Sequence, residues 1–381
     1  MEKSAIAMIV PYRFVPPVNG GHKAAYGFAE FLAKEVDLSC ISTQSNDKDQ
    51  AAFPLYPLLP DGPSKYFSPA VLFRLYRFFQ KHHIQQVILH QHFIGILLLP
   101  LIFCSSIRFI IFVQNIEYQR FKSLNKWYWP IVYLSEWLVY RLAWRLQFIS
   151  PDDLPIALQQ FGLKPTKCGI TPYGTPQQQA PDQTELKAAR DQVAKQHGYT
   201  PDEKLIIFFG PQTYQPNLEA VDRIIHQINP WLLENMNQPY RILICGGGLP
   251  KQYQRLANYK TQNVDYLGFV PDIDLYVKAS DLMINPINTG GGVKTKVIEA
   301  IALGKTVISS YTGALGVSPE ACGPKLIRVP DEDYEAFGNA IQTTLQQPSQ
   351  STPSSFYQQY YWKNAIQSVV EVVQAPPTPS A

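Results

Sequence analysis

The chain of 381 residues has little cysteine, little net charge and no long unbroken apolar run. Each absence excludes something. Cys40, Cys104, Cys168, Cys245 and Cys322 are scattered, with no CxxC and no Cys/His spacing, so neither a zinc site nor a disulfide framework is indicated and a reducing cytosol fits. A formal net charge of +3 is too small to imply a nucleic-acid partner. No D-x-D pair lies in a suitable loop, so the expectation is that no metal and no other cofactor is required. No secretory leader is expected either, because Pro11 ends the first apolar run too early for an h-region. The most apolar stretch, residues 93–113, is broken by Pro100 and Arg108, whereas a spanning helix needs about 20 mainly apolar residues. It reads instead as a helix over 93–104 and a strand over 107–113, in a sheet buried on both faces.

What is present is apolar residues at 46%, enough for sizeable cores, and 32 prolines, mostly at element ends and in the final APPTPSA. The length allows two or three domains of about 150 residues each. Strands and helices alternate twice over. Residues 5–10, 38–42, 86–91, 107–113 and 148–150 read as strands of a first set. Residues 205–210, 240–245, 264–267, 281–284, 306–309 and 326–329 form a second. Residues 45–68 read as a long polar connection, and 177–204 as a polar, partly helical hinge. The pattern implies an α/β chain of two Rossmann-like, doubly wound parallel-sheet domains facing a cleft. The domains fall at 1–174 and 175–350. A final helix over 356–373, in a segment 351–375, is expected to pack back on the first domain, and 376–381 is expected to be a disordered tail.

The stretch INPINTGGGVKTKVIEAIALGKTVISS, residues 284–310, organises the second domain. Gly290, Gly291 and Gly292 break any regular element after a strand. Val293, Val297, Ile298 and Ile301 then mark one side of a helix, and Gly304 closes it. A glycine loop feeding a helix N-terminus leaves N–H groups unpaired and aims the helix dipole outward, so it can hold an anion. Lys294 and Lys296 sit where that dipole disfavours cations, which suggests an external anion such as a diphosphate. The bland alternative is a tight turn with two solvated lysines.

Other polar groups fall at strand ends. Asn19, Gly20 and Gly21 lie at the first βα turn, on the edge where open parallel sheets bind ligands. The turn is not a G-x-G-x-x-G and reads equally as a flexible loop. Gln114, Asn115, Glu117 and Arg120 follow another strand and can address a substrate. His90 and His92 lie on one side of a strand and read as core or loop-edge residues, since no third ligand is near. Residues 127–148 read as one long helix in which Trp127, Trp129, Trp137 and Trp144 interleave with Arg141 and Arg145. That pattern suits a peripheral membrane contact and equally a helix packed on a sheet.

The order of these pieces resembles the GT-B glycosyltransferases, and the second half resembles the glycosyltransferase group 1 domain of family 4. GGGVKTKVIEAIALGKTVISS is similar to the family's G-x-x-x-K-x-x-E-A-x-A-x-G-x-P-V-V block. NGG at 19–21, QNIEYQR, FFG…QPN and YLGFVPDIDLYVKASD, the last similar to the family's f-l-G-x-v run, match more weakly. The resemblance implies a retaining transfer of a hexosyl group from a nucleotide-diphosphate sugar to a hydroxyl of a cell-surface glycan or lipid-linked acceptor, in the cytoplasm or at the inner face of the membrane. It further implies that Glu299 contacts the donor's ribose or sugar, that Gly290–Gly292 lie beside the diphosphate, and that Phe269 and Val270 flank the nucleobase. Gly20 and Gly21 would lie near the phosphates and the acceptor. Three departures stand out. Gly291 replaces a common glutamate, PQTYQPN replaces a loop with arginine and lysine, and Gln114 replaces a histidine. They leave the catalytic residues unassigned and admit two alternatives, an inactive GT-B scaffold or a sugar-nucleotide epimerase.

Overall fold

The structure is a computed structural model and describes residues 5–375, so the tail read at 376–381 lies outside it. The chain divides into two compact units, one holding the residues up to Pro176 and those from Gln359 on, the other Gln177–Gln358.

The first unit is built on a seven-stranded sheet. Its strands are β1 (Ala5–Val10), β2 (Asp37–Thr43), β3 (Leu55–Leu59), β4 (Gln86–Leu89), β5 (Arg108–Val113), β6 (Arg145–Phe148) and β7 (Cys168–Ile170). The order is β3-β2-β1-β4-β5-β6-β7, and every pairing is parallel. The second unit has six strands, β8 (Lys204–Phe209), β9 (Tyr240–Cys245), β10 (Val264–Gly268), β11 (Leu282–Asn285), β12 (Thr306–Ser310) and β13 (Leu326–Val329). They are all parallel, in the order β10-β9-β8-β11-β12-β13. The central strands are buried almost without a break, AIAMIV in β1 and KLIIFF in β8, because helices cover both faces. In each sheet the chain works outward one way from its first strand, then crosses to the other side. The switch points are β1/β4 and β8/β11.

Several elements differ from the sequence reading. The connection at 45–68 contains β3, an edge strand carrying Pro57. The stretch 127–148 is not one helix. A helix spans Trp129–Leu142, with Pro130 in its first turn, and Ala143 is extended, so the chain re-enters the sheet as β6. The last helix is broken into Ser354–Tyr360, Trp362–Ala365 and Gln367–Gln374. The first break follows from Tyr361, which is extended (φ −69°, ψ 126°) and bridges in parallel to Thr175. Thr175 donates to the Tyr360 carbonyl at 2.6 Å and Trp362 to the Thr175 carbonyl at 3.0 Å. Trp362 is 2% exposed and lies against Gly27 and Gly174, where any Cβ would enter the indole. Among the described residues no helix is long and apolar enough to cross a membrane.

Candidate functional site

The second unit gathers its polar groups at the carboxyl ends of β8 and β11, the switch point where open parallel sheets leave a crevice. Three neighbouring strand ends are tied together there by backbone. Gly210 donates to the Cys245 carbonyl at 2.9 Å, Gly246 to the Gly268 carbonyl at 2.6 Å, and Gln212 to the Gly247 carbonyl at 2.9 Å. Gly246 has φ 137°, and a Cβ on it would collide with the Gly210 carbonyl, so only glycine closes this edge. Phe269, just past β10, is 71% exposed, and a Cβ at Gly247 would lie 3.6 Å from it. Val270 beside it is half-buried.

After β11 the chain runs through Gly290–Gly292 into the helix Thr295–Ala302. Gly290 has φ 84° and faces Tyr214 and Pro216 of the loop after β8. Thr289 Oγ1 donates to Glu219 Oε2 at 2.8 Å, joining the glycine loop to the helix Gln215–Arg223. The helix starts later than its apolar pattern suggests. Lys294 is its N-cap, and Val293 lies outside it, packed against Gly316.

The two lysines have different surroundings. Lys294 is 8% exposed, and its Nζ donates to the carbonyls of Gly290 at 2.9 Å and Gly291 at 3.2 Å. It therefore braces the loop, which the anion-contact reading did not anticipate. Lys296 reaches across the switch point. Its Nζ donates to Asn217 Oδ1 at 2.7 Å, sits 4.7 Å from the centre of the Phe208 ring, and would lie 2.9 Å from a Cβ at Gly210. Burial pulls the pKa of Lys294 down to about 8. Burial, and then the charge of Lys294, pull Lys296 down to about 7, while Glu299 raises it. Glu299, half-buried on the same helix, is thus within electrostatic reach of Lys296. Cations held this far below their usual range favour an incoming anion, whose charge would raise their pKa again.

Two residues of this site were missed by the sequence reading. Asn217 holds Lys296 and is itself fixed by donating from Nδ2 to the Pro211 carbonyl at 2.8 Å. It stands in the QPN segment that carried the resemblance, but no local pattern shows its partner. Gln212 is 1% exposed; its Nε2 donates to the Gly210 carbonyl, and its Oε1 has no partner among the described residues.

In the first unit, Asn19 is the N-cap of the helix Gly20–Glu35, its Oδ1 accepting from His22 N–H at 3.0 Å, with Gly20 and Gly21 in the first turn. Asn115, Glu117 and Arg120 form a chain beyond β5. Asn115 Nδ2 lies 3.5 Å and Arg120 Nη1 3.1 Å from Glu117 Oε1. Glu117 is 6% exposed; burial raises its pKa against the pull of Arg120. Its helix, Glu117–Ser123, is capped from outside by Glu136, which accepts from the N–H groups of Glu117 at 2.7 Å and Tyr118 at 2.9 Å. Burial raises Glu136 to about 8. Its signal was a lone carboxylate on the same helix face as Val132, Val139 and Tyr140. His90 and His92 are buried and held neutral near 3 by burial, His90 against Tyr12 and Gln114, His92 against Ser135.

Residues 203–347 match the family model described as glycosyl transferases group 1. No curated protein sequence matches the chain. Among solved structures, HepE of Anabaena, crystallised with UDP and glucose, is 13% identical with a TM-score of 0.69, over 97% of this chain and 99% of that one. Sucrose-phosphate synthase of Thermosynechococcus elongatus is 17% identical with a TM-score of 0.67, over 97% and 96%. WaaG, described as a glycosyltransferase involved in lipopolysaccharide biosynthesis, is 15% identical with a TM-score of 0.64, over 97% and 100%. At these identities the likeness establishes the fold.

Proposed function

We propose, from the match of residues 203–347 to the group 1 glycosyl transferase model and from the GT-B fold, that this chain moves a hexosyl group from a nucleotide-diphosphate sugar to a hydroxyl acceptor. The observation that carries this reading is the Lys296 ammonium at the β8/β11 switch point, fixed by Asn217 and drawn down in pKa by burial. A departing nucleoside diphosphate gains negative charge as the sugar bond breaks. Lys296 and the positive end of the dipole of the helix Thr295–Ala302 would stabilise that charge without reorganising. Lys294 would keep Gly290–Gly292 in shape beside it. Glu299 would address ribose or sugar hydroxyls, and Phe269 and Val270 the base. UDP and UDP-glucose, both named in complex with HepE, head the list of ligands to test, UDP-glucose as a donor and UDP as its product.

The acceptor side of the proposal rests on the first unit, on Asn19, Gly20, Gly21, Asn115, Glu117 and Arg120. The acceptor would be a cell-surface glycan or glycolipid, met at the inner face of the membrane, and transfer would retain the anomeric configuration. The deciding experiment is calorimetric. Lys296→Ala should raise the donor dissociation constant about tenfold or more, on the order of 1.4 kcal/mol. An unchanged constant would take Lys296 out of the site.

A further inference from the structure

The opposite edge of the second sheet holds a second concentration of cations. There the strands begin. A cavity of about 480 Å³ opens at the starts of β8, β11, β12 and β13, lined among others by Lys204, Asp281, Thr306, Thr344 and Ser349. Lys325 is 1% exposed beside it, its Nζ donating to the Gly304 carbonyl at 2.6 Å and Ser349 Oγ at 3.3 Å. Lys305 is 7% exposed, its Nζ donating to the Lys278 carbonyl at 2.7 Å. Arg190 and Lys204 share the single carboxylate of Asp281, at 3.1 and 3.6 Å. Lys305 feels Asp281, Lys325 and Arg190 together, so these charges form one group.

The imbalance is plain. Arg190, Lys204 and Lys305 face one carboxylate, Lys325 adds a further cation beside Lys305, and that carboxylate also accepts the Leu205 N–H at 2.7 Å. An ammonium has three N–H donors. Among the described residues, the acceptors around Lys305 and Lys325 leave half of those hydrogens unmatched. Two buried cations with spare donors, beside a cavity and short of counter-charge, are costly unless an anion arrives. Burial accordingly lowers both lysines to about 8. The carbonyls they bond belong to helix ends, which explains where the side chains lie but leaves the surplus charge unanswered.

We propose that this cavity is an anion site for the phosphoryl group of a small phosphorylated metabolite, separate from the donor site. Lys204 and Lys325 would contact the phosphoryl oxygens, with Ser349 as a further donor and Lys305 supplying charge. β8 and β11 start at this cavity and end at the Lys296 crevice, so the two sites would lie roughly 15–20 Å apart along the strands. The site does not depend on the reading of the donor site.

The test uses the full chain and inorganic phosphate, with chloride at matched ionic strength as control. Phosphate should raise the melting temperature of the wild type and of Lys296→Met alike. Lys204→Glu should weaken the response about tenfold in apparent Kd. Ser349→Glu changes an exposed residue and supplies a carboxylate in place of the ligand. It should melt higher than wild type without phosphate and lose the phosphate response. The proposal is overturned if phosphate stabilises the wild type no more than chloride does. It is equally overturned if Lys296→Met abolishes the response while Ser349→Glu keeps it, because phosphate would then be binding the glycine loop.

Discussion

At the scale of single residues, Lys296 illustrates how burial prepares a charge for a partner. Its ammonium has Asn217 Oδ1 and the Phe208 ring as neighbours and a second cation, Lys294, within reach. Its pKa falls to about 7, against about 10.4 in an unfolded chain. Between those values the unfolded state binds more protons, so this group makes the folded state gain stability as pH rises. Below about 7 the lysine is charged in both states and the penalty is full; above the unfolded value it vanishes. Lys296→Met should therefore be more stable than wild type near pH 6 in the absence of ligand. The gap should be on the order of 1 kcal/mol, well short of the full shift because the group is only half-buried and screened. It should close towards pH 10. Urea midpoints across that range check it, and a gap that widens with pH would show that burial does not strain the ammonium. Asn217 and Gln212 belong to the same scale. Neither is periodic or charged, so neither stood out until the fold set them around Gly210.

At the scale of elements, the glycines at strand ends and the segment around Trp362 do the positioning. Trp362 wedges between the helix Gly20–Glu35 and the turn at Gly174, with Tyr173 at 5.6 Å and Phe28 at 6.3 Å between ring centres. Gly174→Ala forces a methyl group into the indole and should cost about 1–3 kcal/mol by denaturant unfolding. In a Trp362→Leu background the same substitution should cost much less, since the smaller side chain leaves room. An equal cost in both backgrounds would show that the indole is not what demands glycine. The reading of elements failed where physics left weak signals. β3 and β7 are edge strands with only partial burial, LYPLL and CGI, so neither carries a continuous apolar run. The run at 127–148 blurred because a helix and a strand meet at Ala143 without a glycine between them.

At the scale of the molecule, the first unit presents an apolar and basic surface. Trp127 is 83% exposed, Ile131 63%, Leu134 61% and Leu124 50%, with Lys122 and Lys126 among them. Trp129 and Trp137 instead pack on the core, and Arg141 lies 5.0 Å over the Trp137 ring. This narrows the membrane contact proposed for residues 127–148 to their N-terminal end. Wild-type protein should float with vesicles containing anionic lipid, and Trp127→Ser with Ile131→Ser should lose most of that binding. A wild type that stays at the bottom of the gradient with anionic and neutral vesicles alike removes the contact.

Alternating apolar runs and helical stripes were enough to announce two parallel sheets with helices on both faces. Glycine at 290–292 announced the loop that leads from a strand into the helix Thr295–Ala302. Those signals are local, because burial on two faces and left-handed backbone each constrain the residues of one short segment. Strand order is not local. The crossing that puts β11 beside β8, and with it the crevice, depends on which segments pair across many tens of residues. The same holds for Lys296 and Asn217, 79 positions apart, and for Arg190, Lys204 and Lys305 gathered around Asp281. Contacts between distant segments leave no period in the chain, so only the folded structure decides them.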